Sequence, residues 1–118
     1  MPQKTYAELI VWQKAMDLTA SVYRQTEILP KEELYGLKSQ MRRAGISIPS
    51  NIAEGQARLS RKPFLLHLSI AHGSLCELET QILLAYRLGF FNNRQQNRLM
   101  DQCLEVKRLL NGLAKSIK

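Results

Sequence analysis

The sequence is poor both in the residues that build loops and in those that carry special chemistry. Among 118 residues there are four prolines and six glycines, and aromatic side chains make up 7%. So few turn formers and aromatics argue against a loop-rich β fold. The two cysteines, Cys76 and Cys103, form no Cys-x-x-Cys pair, which leaves neither a disulfide framework nor a zinc-finger spacing. Both lie among apolar residues and read as buried free thiols of a reducing compartment. No apolar run approaches the ~20 residues that span a bilayer. The first residues lack the apolar stretch of a signal peptide. The expected location is therefore the cytoplasm, with no membrane partner. A glycine-rich phosphate loop and a nucleophile elbow are also missing, so an enzyme is not expected.

What is there is helical periodicity, in a chain of about one domain's length, residues 1–118. Leu9, Trp12, Met16, Thr19 and Tyr23 form one stripe, and Val11, Ala15, Leu18 and Val22 a parallel one. Pro30 with Glu32 and Glu33 suits a helix start, since acids there meet the positive end of the helix dipole. A second stripe runs Leu34, Leu37, Met41, Ala44, Ile48, Ile52. Pro49 falls inside it, and the apolar phase continues past it, which favours one kinked helix over two short ones. Ser60 is placed to cap the next helix, where Pro63 is tolerated in the first turn. Phe64, Leu68, Ala71, Leu75, Leu78, Ile82 and Ala85 then recur at steps of four and three, the spacing of packed bundles. Gly89 ends that run, and Asn92 or Asn93 can cap the last stripe: Leu99, Cys103, Val106, Leu110, Leu113, Ile117. Short connections make neighbours antiparallel, and the expected fold is an all-α, up-down-up-down four-helix bundle. Small residues at Ala44, Gly45 and Ser47, and at Ala71, Gly73 and Ser74, suggest where the second and third helices touch.

Three constellations could carry function. Arg43, Ser47, Asn51, Glu54 and Arg58 share one face of the second helix, with Ser69, Ser74, Glu77 and Glu79 on the third as possible partners. The favoured reading is a structural polar network of Arg43, Ser47, Asn51, Glu54, Ser74 and Glu77, fixing helix register or a subunit contact. His72, Cys76 and Glu79 fall on one helix face, but neither histidine follows a glutamate by three residues. The Glu-x-x-His signature of di-metal bundles is thus missing, and no metal or cofactor is expected. The third constellation is charge. The net charge is +7, yet residues 38–62 carry six basic groups against one acidic, and residues 91–118 six against two. Basic clusters bind phosphates by releasing counterions. Arg58, Arg61, Lys62, Arg94 and Arg98 lead as nucleic-acid contacts, followed by Lys38, Arg42 and Arg108. With no zinc finger, basic zipper or aromatic RNA-binding motif, recognition would follow shape or charge.

Several motifs carry a resemblance. Arg42-Arg43-Ala44, Ser47-Ile48-Pro49, Asn51-Ile52-Ala53-Glu54-Gly55, and Gly73-Ser74 followed by Glu77 resemble the bacterial four-helix bundle proteins of the 23S rRNA intervening-sequence family. The stretch from Leu9 to Ala15 and Leu29-Pro30-Lys31-Glu32 are also similar to it; Pro63 stands where an acidic residue is more usual. The resemblance implies an up-down-up-down bundle assembling as a ring, typically a homopentamer. It extends to the accessory variability determinant of diversity-generating retroelements, a basic pentamer that partners a reverse transcriptase and nucleic acid. The expected function is a non-enzymatic homo-oligomeric adaptor that binds RNA or DNA, with a protein-interaction module lacking nucleic-acid affinity as the alternative.

Overall fold

Each apolar stripe becomes a helix because its side chains recur at the helical period and can all face one axis. The computed structural model describes residues 5–118. A 3-10 turn, Tyr6–Glu8, leads into α1 (Ile10–Thr26); a second such turn, Lys31–Glu33, precedes α2 (Leu37–Ala57); then come α3 (Arg61–Arg87) and α4 (Asn93–Ile117). The described residues contain no strand. Around the bundle α1 packs on α2 and α4, and α3 packs on α2 and α4, with no comparable contact across either diagonal. This is the expected four-helix bundle, drawn out to 49 × 24 × 19 Å. None of its helices is long and apolar enough to cross a membrane.

The core holds Val11, Ala15, Leu18 and Val22 of α1, Met41, Ala44, Ile48 and Ile52 of α2, Leu68 to Ala85 of the α3 stripe, and Leu99, Cys103, Val106 and Leu110 of α4. Of the two α1 stripes, only the second faces inward. Trp12 and Thr19 sit at the edge beside α2, while Met16 and Tyr23 are exposed. Leu34 precedes α2 and is exposed as well, because Pro30, Glu32 and Glu33 open a short turn rather than the helix itself. Glu33 still serves α2: its Oε1 accepts from the Leu37 amide at 3.0 Å, capping one of the amides that a helix start leaves unpaired.

Pro49 lies within α2, which runs on as one helix. Proline has no amide proton, so the carbonyl four residues back, that of Gly45, loses its helical donor. Thr19 of α1 replaces it: Thr19 Oγ1 donates to Gly45 O at 2.9 Å, sharing its proton with Ala15 O at 2.8 Å. Gly45 faces Thr19 here, and a Cβ would meet it at 3.7 Å, an ordinary contact. The expected small-residue contact of α2 with α3 holds at Ser47 and Ser74, whose hydroxyls lie 2.8 Å apart, but not at the two expected glycines. Gly45 faces α1, Gly73 has nothing within 4 Å, and the tight α2–α3 crossing is at Gly55, where a Cβ would lie 2.8 Å from that of His67.

The helix ends follow local chemistry. Gly89 takes φ +82 after α3, and Asn92 and Gln95 form a reciprocal capping box at 2.9 and 2.8 Å. Ser60 occupies the cap position of α3, but its side chain makes no capping bond. Pro63 sits in the first turn of α3 without disturbing it.

Candidate nucleic-acid interface

The polar stripe of α2 meets α3 through a short hydrogen-bonded chain. Asn51 Nδ2 donates to Ser47 O at 2.8 Å and to Ser47 Oγ at 3.0 Å. With both amide protons used, Asn51 Oδ1 is left to accept from His67 Nδ1 at 3.0 Å, which fixes the histidine tautomer. Ser74 Oγ donates to Ser47 Oγ at 2.8 Å. Glu54 Oε2 flanks the same His67 nitrogen at 3.7 Å. Ser47, Asn51, Glu54 and Ser74 are thus brought together as expected. Arg43 and Glu77 are not: Arg43 is exposed, and Glu77 accepts from Gln81 on its own helix at 3.2 Å. His67 takes the place assigned to them. Sequence reasoning considered it only as a metal ligand, although its spacing of seven from Ser74 puts both on one face.

The basic residues divide by what they touch. Arg58, Arg61 and Lys62 are exposed around the α2–α3 connection, and Arg94 and Arg98 on the first turns of α4. None of the five forms an ion pair among the described residues. They do not form one patch. The α2–α3 connection and the start of α4 lie at opposite ends of α3, whose 27 residues span about 40 Å at ~1.5 Å each. Arg108 is exposed too, but on the face of α4 it shares with Arg94 and Arg98 the intervening residues are Asp101 and Glu105. Glu105 pairs with Lys14 of α1 at 3.9 Å.

Lys38 and Arg42 belong to the fold rather than to a free surface. Arg42 of α2 reaches the end of α1, donating through Nε to Thr26 Oγ1 at 3.0 Å and through a terminal nitrogen to Tyr23 O at 3.0 Å and Glu27 Oε1 at 2.7 Å. Its guanidinium also lies 4.5 Å above the Tyr23 ring. It therefore caps the negative end of α1 from another helix. Lys38 stands 3.7 Å from the same Glu27 carboxylate. The Arg42 hydrogen bond, with the nearby Lys38 charge, holds Glu27 below the usual carboxylate range. On the opposite side Lys107 bonds Glu79 at 2.8 and 3.0 Å, which raises the lysine above its ordinary value.

Two further features were missed or misplaced by sequence reasoning. Cys103 is buried as expected, and loss of solvent, then the Glu79 charge, pushes its thiol up to about 12. Cys76 is exposed instead, with Sγ 4.0 Å from His72 Nδ1. A groove of about 630 Å³ lies between α1 and α2, lined by Trp12, Met16, Ile46, Pro49, Ala53 and Ala57 among others. The edge stripe of α1, rather than its core stripe, builds this groove.

Comparison with known proteins places this bundle. The family model described as 23S rRNA-intervening sequence protein matches residues 7–112. The chain belongs to that family. It is also similar to a solved structure from Bacteroides thetaiotaomicron, described as a protein with unknown function from the S23 ribosomal protein family. The two are 23% identical, the match covers 90% of this chain and 96% of the other, and the TM-score is 0.83. At that identity the likeness establishes a shared fold. No curated protein matches. All eight basic candidates of this intervening-sequence family member fall inside the matched span.

Proposed function

We propose that this intervening-sequence family protein acts by binding rather than catalysis, as a cytoplasmic homo-oligomeric adaptor whose basic ends meet the phosphates of RNA or DNA. The observation that supports it is the set Arg58, Arg61, Lys62, Arg94 and Arg98, all exposed and all without an ion pair among the described residues. Cations committed to carboxylates release few counterions on meeting a polyanion; uncommitted ones release them fully. Lys38 and Arg42 are committed, so they leave the contact set. Arg108 stays in it as a weaker member, because two acids lie beside it. Assembly into a ring, pentameric as the resemblance implies, would repeat both basic ends around an axis. A reverse transcriptase is the protein partner that the same resemblance brings into this reading.

A second reading, a protein-interaction module with no nucleic-acid affinity, is favoured by the apolar groove between α1 and α2. One experiment separates them. The affinity for a structured RNA and for a matched DNA duplex is measured across a salt series, with the assembly mass recorded on the same sample. The adaptor reading expects log affinity to fall linearly with log salt, with a slope of about −0.9 per phosphate met on B-DNA. Charge reversal at the five residues should flatten that slope. Unchanged affinity in that variant, or none at low salt in an intact assembly, would turn the conclusion to the second reading.

A further inference from the structure

A small pocket opens between the last turns of α1 and the first turns of α4. Ser21, Arg24, Gln25 and Ile28 line it from α1 and the segment after it, and Arg98 from α4, around about 190 Å³. That is about six times the ~30 Å³ a water molecule occupies in the liquid. It is below the ~300 Å³ at which pockets that enclose whole small molecules begin. The space thus suits a compact polar group. Its lining offers two guanidinium groups, a hydroxyl and a primary amide, and no carboxylate.

Ser21 adds an observation of a different kind. It is only 4% exposed, yet its hydroxyl makes no hydrogen bond to any described residue. The oxygen is not sealed in the core, where buried hydroxyls are ordinarily paired; it opens on the pocket wall, free to donate to whatever fills the space. Arg24 and Arg98 are likewise without ion-pair partners among the described residues; Asp17, two turns before Arg24, and Asp101, one turn after Arg98, pair with neither. Charge segments along the sequence hide this site, because Arg24 lies in a stretch whose net charge is negative and meets Arg98 only through the α1–α4 packing.

We propose that this pocket is an oxyanion site, which takes one phosphoryl group on Arg24 and Arg98 with Ser21 donating a further hydrogen bond. Planar guanidinium forks match phosphate oxygens in a way that a lysine point charge does not. The inference rests on the polyanion reading above and deepens it, naming the group bound at one end of the bundle and two residues, Ser21 and Arg24, outside that set of five. The phosphoryl source is either a nucleic-acid backbone or a free phosphorylated molecule.

The test titrates inorganic phosphate into the isotopically labelled full chain at constant ionic strength, following the amide and arginine side-chain resonances. Saturable shifts are expected at Ser21, Arg24 and Arg98, with weaker ones from singly charged acetate and none from chloride. Arg24→Gln with Arg98→Gln should weaken phosphate binding at least tenfold, and Ser21→Ala severalfold; the alanine variant removes a single oxygen and so guards against misfolding as an explanation. Shifts that stay linear, or that are equal at Arg58 and Arg61, would overturn the site and leave surface charge alone. If Ser21→Ala and Arg24→Gln, both outside the five-residue contact set, also weaken RNA binding, the phosphoryl group is the backbone's. If those two single variants lose phosphate while RNA affinity holds, the pocket stands as a site for a free phosphorylated molecule. Saturable phosphate with no RNA affinity in the wild type would keep the pocket and sink the nucleic-acid reading.

Discussion

Gly55 and Gly73 face opposite consequences from the same substitution. A Cβ at Gly55 would stand 2.8 Å from His67 Cβ, 3.0 Å from Phe64 Cδ1 and 3.3 Å from the Phe64 carbonyl, while one at Gly73 meets nothing within 4 Å. Gly55→Ala must push α2 from α3 and is expected to cost about 1–3 kcal/mol, the usual toll of overpacking. Gly73→Ala should stabilise by up to about 1 kcal/mol through helix propensity. Urea melts of the two variants check both signs. Glu27 gives a pH dependence. Because Arg42 and Lys38 depress its folded pKa below the ordinary 4.5, its contribution is complete above 4.5 and is lost as pH falls through the lower folded value. The stability gap between wild type and Glu27→Gln should therefore be constant near neutrality and close in acid, as read from thermal melts at a series of pH values. Residue by residue, Ser47, Asn51, Glu54 and Ser74 were legible because spacing fixes a shared face. Which charged residue faces a partner was not, since a rotation of one residue, about 100°, separates exposed Arg43 from its buried neighbour Ala44.

Among the elements, α2 depends on α1 for a backbone bond that it cannot make itself. Thr19→Val should leave Gly45 O without a donor, at a cost of about 1–3 kcal/mol. In a Pro49→Ala background the residue-49 amide can serve that carbonyl, so the cost of Thr19→Val should shrink. A double-mutant cycle by urea denaturation measures the coupling, and additivity would count against this account. At α4, Asn92→Ala should cost about 1 kcal/mol by opening the capping box. The α3 and α4 stripes were readable because each has a single run at steps of four and three. In α1 two adjacent stripes were equally apolar, and sequence alone does not say which points inward. Packing chose the one with the smaller side chains, Val11, Ala15 and Val22 around Leu18, and turned Trp12 and Met16 toward α2.

At the scale of the whole molecule, the square arrangement leaves one core shared by all four helices, so solvent should reach its interior only when the bundle opens. Cys103 is fully buried at the centre of α4 and Cys76 is exposed on α3. An alkylating reagent should therefore label one thiol per native chain, with the second reacting at the rate of global unfolding; mass spectrometry across a urea series checks this. The bundle class was legible from four stripes and short connections. The placement of charge was not. Two basic segments that look alike along the sequence come to lie at opposite ends of an antiparallel rod, and no linear count reveals the separation.

The groove on α1 and α2 carries its own reporter. Trp12, the only tryptophan in the chain, lines that groove and meets Tyr6 edge-on at 5.2 Å. Indole emission shifts to shorter wavelength when water is displaced from the ring. The unmodified protein should thus signal, by the colour of its own fluorescence, whenever another surface fills the space beside α1, and remain silent when only its charged ends are engaged.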